Sequence, residues 1–303
     1  MNHIRVISPG LLTTVQDLGR PGYAHLGISA SGAADALSLR AGNLLVGNPE
    51  GAAALEMTLA GGAFEFEPAA VIALTGADFD ASVPMWSAVE VQPGEHVRVG
   101  HARSGARCYL CVHGGIDVPL VLGSMSTHLL TGLGGLEGRA LKRGDVLAWG
   151  RRFRLPTAGP LPTAGPPPTK WGRRFRLPTV GNIHVTAPAD ASALCRETWR
   201  VREDSDRMGL RLRGPALERH TGHMLTEGVP LGAVQVPPDG QPIVLFVEHQ
   251  TTGGYPKIAN VISADFHAVG QLRPRDEVHF EQISIDAALA LLDAQEKWLH
   301  SLV

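Results

Sequence analysis

Gln250-Thr-Thr-Gly-Gly-Tyr-Pro256 is the stretch whose residue types and spacing best suit ligand chemistry, and it lies between the apolar runs Pro242–Val247 and Lys257–Ile262. Two adjacent glycines let backbone N–H groups come close to a bound group. Thr251, Thr252 and the Gln250 amide supply both donors and acceptors. Gln250, Thr251, Thr252, Gly253, Gly254 and Tyr255 therefore form a candidate loop for a carboxylate, an amide or a phosphate. A hairpin turn with no function has the same composition, so both readings stand at this point.

Five more glycine-flanked polar clusters abut apolar runs: Thr13–Arg20 (TTVQDLGR), Gly114–Thr127 (GGIDVPLVLGSMST), Gly132–Arg139 (GLGGLEGR), Ser205–Gly214 (SDRMGLRLRG) and Val234–Ile243 (VQVPPDGQPI). Their polar groups are Gln16, Asp17 and Arg20; Ser124, Ser126 and Thr127; Arg207; and Gln235 and Gln241. Arg20 and Arg207 sit close to glycines, where a guanidinium can either meet an anion or tie a turn to a backbone carbonyl. The common catalytic signatures are missing: no HExxH, no GxSxG, no phosphate-loop lysine and no GxGxxG opening a helix. None of the 13 histidines has ligand spacing on a convincing helix. Cys108 and Cys111 form a CxxC inside the strand-like run CYLCV, where residues three apart face opposite ways, so two buried thiols without a metal are expected there.

A chain of 303 residues with 44% hydrophobic content can bury a sizeable core in two domains or two halves. Its 36 glycines and 22 prolines, with only 18% charged residues, favour many short elements and tight turns, hence β structure. A formal net charge of −2 gives no footprint for nucleic acid or anionic lipid. The start MNHIRVISPG has no leader pattern and no apolar run reaches membrane-spanning length, so a cytoplasmic location is expected. Three cysteines fit a reducing compartment.

The elements that must hold the clusters can be sketched. A helix begins after Ser31 as N-cap, carries Leu37, Ala41, Leu44 and Leu45 on one face, and stops at Gly47-Asn48-Pro49. Phe64 and Phe66 alternate with Glu65 and Glu67, and Val71–Leu74 and Cys108–Val112 are apolar runs, all read as strands. Three segments repeat a turn bearing an acid and then an alternating strand: Val91–Val99, Leu141–Trp149 and Leu272–Phe280. Ser284 caps a C-terminal helix whose apolar stripe is Ile285, Leu289, Leu292, Leu299 and Leu302. WGRRFRLPT occurs at Trp149–Thr157 and again at Trp171–Thr179, with prolines between, which reads as a duplicated, solvated linker. The expected organisation is a β half over 1–150, a linker over 151–180 and a β half with terminal helix over 181–303.

Taken together and in this order, these motifs resemble the allophanate hydrolase subunit 2, or biotin-dependent carboxyltransferase-like, family, from Ile7 to about Phe280. Glu248-His249 stands where the family usually carries Asp, and the duplicated linker is a further departure. The resemblance implies a mainly β fold of two cyclophilin-like β-barrel halves with a few short helices and a C-terminal helix. Free-standing members of this length are similar to the C component of bacterial 5-oxoprolinases. That implies ATP-driven opening of the lactam of 5-oxo-L-proline to L-glutamate, with a KipI-like B component, a LamB/YcsF-like A component, and ATP with magnesium used by the complex. A carboxyltransferase role with separate biotin partners is a rival, since this chain has no biotinyl-lysine segment. A non-enzymatic regulator of a KipI-type partner is another.

Overall fold

In a computed structural model, the described residues are 2–150, 180–187, 191–218 and 225–302. The duplicated, proline-rich segment expected as a linker over 151–180 lies, but for Val180, outside them. The chain divides into two compact units: Met1–Arg20, Ser31–Gly172 and Trp298–Val303 in one, Pro21–Ala30 and Arg173–Lys297 in the other. Both are built mainly of strands.

The first unit holds two sheets. One runs Ile116–Asp117, Val146–Trp149, His3–Ser8, Ala63–Glu67, His96–Ala102 and Phe79–Ala81; the other runs Leu12–Gln16, Ala54–Thr58, Arg107–Val112, Ala70–Gly76 and Ala88–Val91. Strict alternation predicts a half-buried strand over 63–67, and Phe64 and Phe66 are indeed fully buried while Glu65 faces Arg5 across the pair at 3.5 Å. Arg107–Val112 is central in its sheet and buried along all six residues, so its apolar run reflects cover on both faces. Burial lifts both the Cys108 and Cys111 thiols far above their usual range, as expected for inert core residues.

A helix of this unit spans Ala36–Leu45 and buries Leu37, Leu39, Ala41, Leu44 and Leu45. Its cap is Asp35 rather than Ser31: the Asp35 carboxylate accepts from Ser38 N at 2.9 Å and Ser38 Oγ at 2.6 Å. Ser31 instead takes a positive φ of 55° and donates to the Thr127 carbonyl at 3.2 Å. Gly42 lets the helix sit tight on the sheet, because a Cβ there would meet Cys111 Sγ and Thr75 Oγ1 at 2.7 Å.

The second unit is a closed barrel of seven strands: Val180–Thr186, Lys257–Val261, Ala233–Gln235, Ile243–Leu245, Gly209–Arg213, Trp199–Val201 and Glu277–Gln282, the last pairing in parallel with the first. Closure removes the free edges. Trp199 is fully buried, with its indole N–H donating to the Leu194 carbonyl at 2.9 Å. The C-terminal helix Ile285–His300 is capped by Ser284, whose Oγ accepts from Ala287 N at 3.2 Å. Its apolar stripe is only partly used: Ile285 and Leu289 are 68% and 58% exposed, whereas Gln295, Trp298 and Leu299 are buried.

The three repeated turns share one construction. Gln92–Glu95, Lys142–Asp145 and Arg273–Asp276 each close with an i+3 backbone bond, and each terminal acid accepts the N–H of the turn's first residue, at 2.9, 2.7 and 2.9 Å. The third residue takes positive φ in all three: Gly94, Gly144 and Arg275. Pro93 and Pro274 precede it in two of them, the sequence pattern of a type II turn.

Candidate functional site

In the first unit, the candidates from Thr13–Arg20 and Gly114–Thr127 do come together, as one buried network. Asp17 is its hub. Its carboxylate accepts from Ser124 Oγ at 2.6 Å, Ser126 Oγ at 2.5 Å, Met125 N at 2.6 Å and Gly19 N at 2.7 Å. Ser126 Oγ in turn accepts from Asp17 N at 2.9 Å, and Thr127 Oγ1 donates to the Val15 carbonyl at 3.0 Å. Arg20 is 1% exposed and donates to the carbonyls of Ser126 and Val121. Gln16 Nε2 donates to Thr14 Oγ1 and the Thr127 carbonyl, both at 3.0 Å, while its buried Oε1 has no partner among the described residues. These side chains weld the loop before Thr127 to the strand before Asp17, a positioning task; Arg20 is the fork that ties backbone carbonyls.

Sequence reasoning missed a second buried cluster in this unit. Tyr109 Oη donates to Glu56 Oε2 at 2.7 Å and accepts from Asp35 N at 2.8 Å, Ala34 N also donates to Glu56, and Arg107 lies 3.7 Å from Glu56 Oε1. Burial first, then the Glu56 and Asp35 charges, push the Tyr109 hydroxyl well above its ordinary pKa, against the pull of Arg107. The available signal was a glutamate inside the apolar strand ALEMT.

In the second unit the loop candidates also converge. Arg207 Nε donates to Glu248 Oε1 at 2.5 Å with both side chains at most 10% exposed, and Glu248 N donates to the Arg207 carbonyl at 2.8 Å. The guanidinium is thus engaged in fixing the start of the loop, and the long acid at 248 is what reaches it. Thr252–Gly253 pairs with Glu227–Gly228, and Val229 N donates to the Thr251 carbonyl at 3.1 Å, so the loop is held as a short strand. Gln250 Nε2 donates to Gln235 Oε1 at 3.2 Å. Gln235 is 1% exposed, and among the described residues its Nε2 has no hydrogen-bond partner. A Cβ on Gly253 would stand 2.7 Å from that nitrogen, so glycine at 253 leaves the space the amide uses. Thr252, Gly254 and Tyr255 are exposed along the same loop.

Gln241 is elsewhere: its amide clasps Gly214, accepting from Gly214 N at 3.0 Å and donating to the Gly214 carbonyl at 3.1 Å. The same barrel carries a groove of about 930 Å³ whose wall includes Pro230, Ala233, Lys257, Asn260 and Gln282 and none of the residues of the Gln250–Tyr255 loop. That volume suits a small molecule. Lys257 is ion-paired with Glu227. The cluster brings together the Gln250 and Gln235 amides and the Thr251 and Thr252 side chains, polar groups that bind and orient, with the Gln235 Nε2 fully buried.

No helix among the described residues is long and apolar enough to cross a membrane. Residues 26–282 match the family model described as carboxyltransferase domain, subdomain A and B. Over 99% of its length the chain is 41% identical to the 5-oxoprolinase C component of Escherichia coli K12, covering 97% of that protein, and it is 38% identical to the 5-oxoprolinase C component of Haemophilus influenzae, covering 93%. It also superposes on the crystal structure of the Kluyveromyces lactis urea amidolyase with a TM-score of 0.88 at 31% identity, over 99% of this chain but 20% of that one. The agreement spans both units, and the chain belongs to the carboxyltransferase-domain family.

Proposed function

We propose that this chain is the C component of an ATP-dependent 5-oxoprolinase, opening 5-oxo-L-proline to L-glutamate together with a KipI-like B component and a LamB/YcsF-like A component. Nearly end-to-end likeness to two bacterial 5-oxoprolinase C components supports it, whereas the amidolyase likeness covers a fifth of a longer chain. Within the structure, the reading is supported by the buried Gln235 N–H beside Gly253, which lacks a partner among the described residues. A lactam is resonance-stabilised, so its cleavage needs donors aimed at the carbonyl oxygen as charge develops there. A buried donor with no acceptor of its own is costly unless a ligand oxygen completes it.

In this proposal ATP is not bound by the described residues of this chain alone. Arg20 donates to backbone carbonyls and Arg207 to Glu248. Among the described residues no three His, Cys, Asp or Glu side chains converge on a position for magnesium. In this reading ATP is used at the level of the assembled enzyme, and this chain contributes acceptor-oxygen recognition.

Gly253→Ala tests the site. The added methyl displaces the Gln235 amide, the mobile end of a side chain, so the melting temperature should hold while turnover of the reconstituted complex falls about tenfold or more. Wild-type turnover in that variant would remove the loop from the reaction. The likeness to urea amidolyase favours carboxyl transfer as the second reading, and urea-dependent decarboxylation of a carboxybiotin carrier by the complex would establish it instead.

A further inference from the structure

The Ser205–Gly214 cluster gives Arg207 to the Gln250–Tyr255 loop, but its other arginines, Arg211 and Arg213, take no part in that loop. They lie on the strand Gly209–Arg213, which pairs antiparallel with Trp199–Val201. Side chains alternate along both strands: Trp199, Val201, Leu210 and Leu212 are buried in the barrel, while Arg200, Arg211 and Arg213 are exposed on its outside. The register sets Arg200 directly opposite Arg213. Arg202 N donates to the Arg211 carbonyl at 2.8 Å, which sets those two residues opposite each other as well. Arg200, Arg202, Arg211 and Arg213 therefore form a two-by-two block, about 5 Å across the strands and about 7 Å along them.

Like charges directly opposite one another work against a sheet, and the nearby carboxylates cover only part of this block. Glu277 pairs with Arg200 at 2.8 Å, and Asp204 pairs with Arg202 at 2.7 Å and lies 3.9 Å from Arg211. Glu203 is engaged by Arg275, and Asp206 holds the hairpin turn by accepting from Met208 N and Gly209 N. Arg213 has no ion-pair partner among the described residues. The Arg200, Arg202 and Arg211 side chains are 60%, 38% and 48% exposed, so these guanidiniums stay open to a second partner. Two carboxylates thus serve four arginines, and positive charge is left over on one face of a chain whose formal net charge is −2.

We infer that this arginine block is a docking surface for an extended acidic segment of a partner protein in the assembly. The inference rests on the multi-component reading above. Charge complementarity sets the chemistry of the occupant. The block sits on the outer wall of a closed barrel, which is convex, whereas small-molecule sites are concave, so a protein surface fits it. Carboxylates on alternate residues of an extended segment repeat at about 7 Å, the spacing from Arg200 to Arg202 and from Arg211 to Arg213. Each guanidinium presents a fork that matches a carboxylate. Docking would also offset the two like-charge pairs, which the isolated sheet leaves partly uncompensated.

The test combines Arg211→Glu with Arg213→Glu and compares the double variant with Arg143→Glu, an exposed arginine of the first unit. Mixed with the B and A partner proteins, the full chain carrying both changes should associate about tenfold or more weakly, with a flatter salt dependence, while Arg143→Glu leaves both unchanged. The milder Arg213→Gln, which leaves the Asp204 pairs in place, should weaken association about threefold. The isolated double variant should melt no lower than wild type, because each new glutamate stands opposite Arg200 or Arg202. A lower melting temperature would overturn the argument that the block works against its own sheet. Wild-type affinity and salt dependence in the double variant would overturn the inference. So would capture of nucleic acid or anionic phospholipid vesicles by the wild type that the double variant loses while its partner association is untouched. A wild-type complex that assembles through these arginines yet leaves 5-oxo-L-proline intact would sink the hydrolase reading and leave the docking surface standing.

Discussion

Asp17 shows how chemistry-bearing residue types can serve a site without entering it. Its four accepted bonds come from two serine hydroxyls and two backbone N–H groups, all in a place with almost no solvent. Removing the carboxylate leaves several buried donors unmade at once, so Asp17→Ala should cost about 3 kcal/mol or more in urea unfolding of the isolated chain. A loss under about 1 kcal/mol would show that the network is not what holds the loop before Thr127. The clustering of Gln16, Asp17 and Arg20 with Ser124, Ser126 and Thr127 was legible as a list of polar residues near glycine. That they face one another and not a ligand was not, because partner choice across more than a hundred residues is set by the folded backbone. Glu248 and His249 were visible only as an odd pair; that Glu248 makes an ion pair with Arg207 depends on which way its side chain points.

At the scale of elements, the repeated acid-bearing turns were readable because proline, glycine and the acid act locally. The third copy carries Arg275 at φ 75° where its counterparts have Gly94 and Gly144. A non-glycine residue there carries a left-handed backbone penalty, and what Arg275 gains is a pair with Glu203 in which both side chains are more than two-thirds exposed. Arg275→Gly should therefore raise stability by about 0.5–1 kcal/mol, measured as a shift in the urea midpoint. A destabilised variant would mean that the exposed pair outweighs the turn. The first helix shows the limit of such local reading. Ser31 and Asp35 are both good caps in sequence, but Ser31 is drawn to the Thr127 carbonyl, and the helix waits for Asp35. The C-terminal stripe was right in period, yet Ile285 and Leu289 stay exposed, since periodicity identifies a face and not the neighbour that covers it.

At the scale of the whole molecule, the mainly β architecture followed from composition, short apolar runs and turn chemistry, and the family resemblance added the two-half plan. Closure of the second unit into a seven-stranded barrel through a parallel pair between Val180–Thr186 and Glu277–Gln282 could not be read locally, because it joins segments nearly a hundred residues apart. In the proposed function the loop Gln250–Tyr255 of that barrel supplies binding groups and the reaction is completed in an assembly with the B and A components. The direct measurement is glutamate release from 5-oxo-L-proline with ATP by this chain alone, by its B and A partners alone, and by all three together. The account predicts release by the three-protein mixture only, with ATP consumed in step. Robust release by this chain alone, or a fully assembled complex that leaves 5-oxo-L-proline intact, would contradict it.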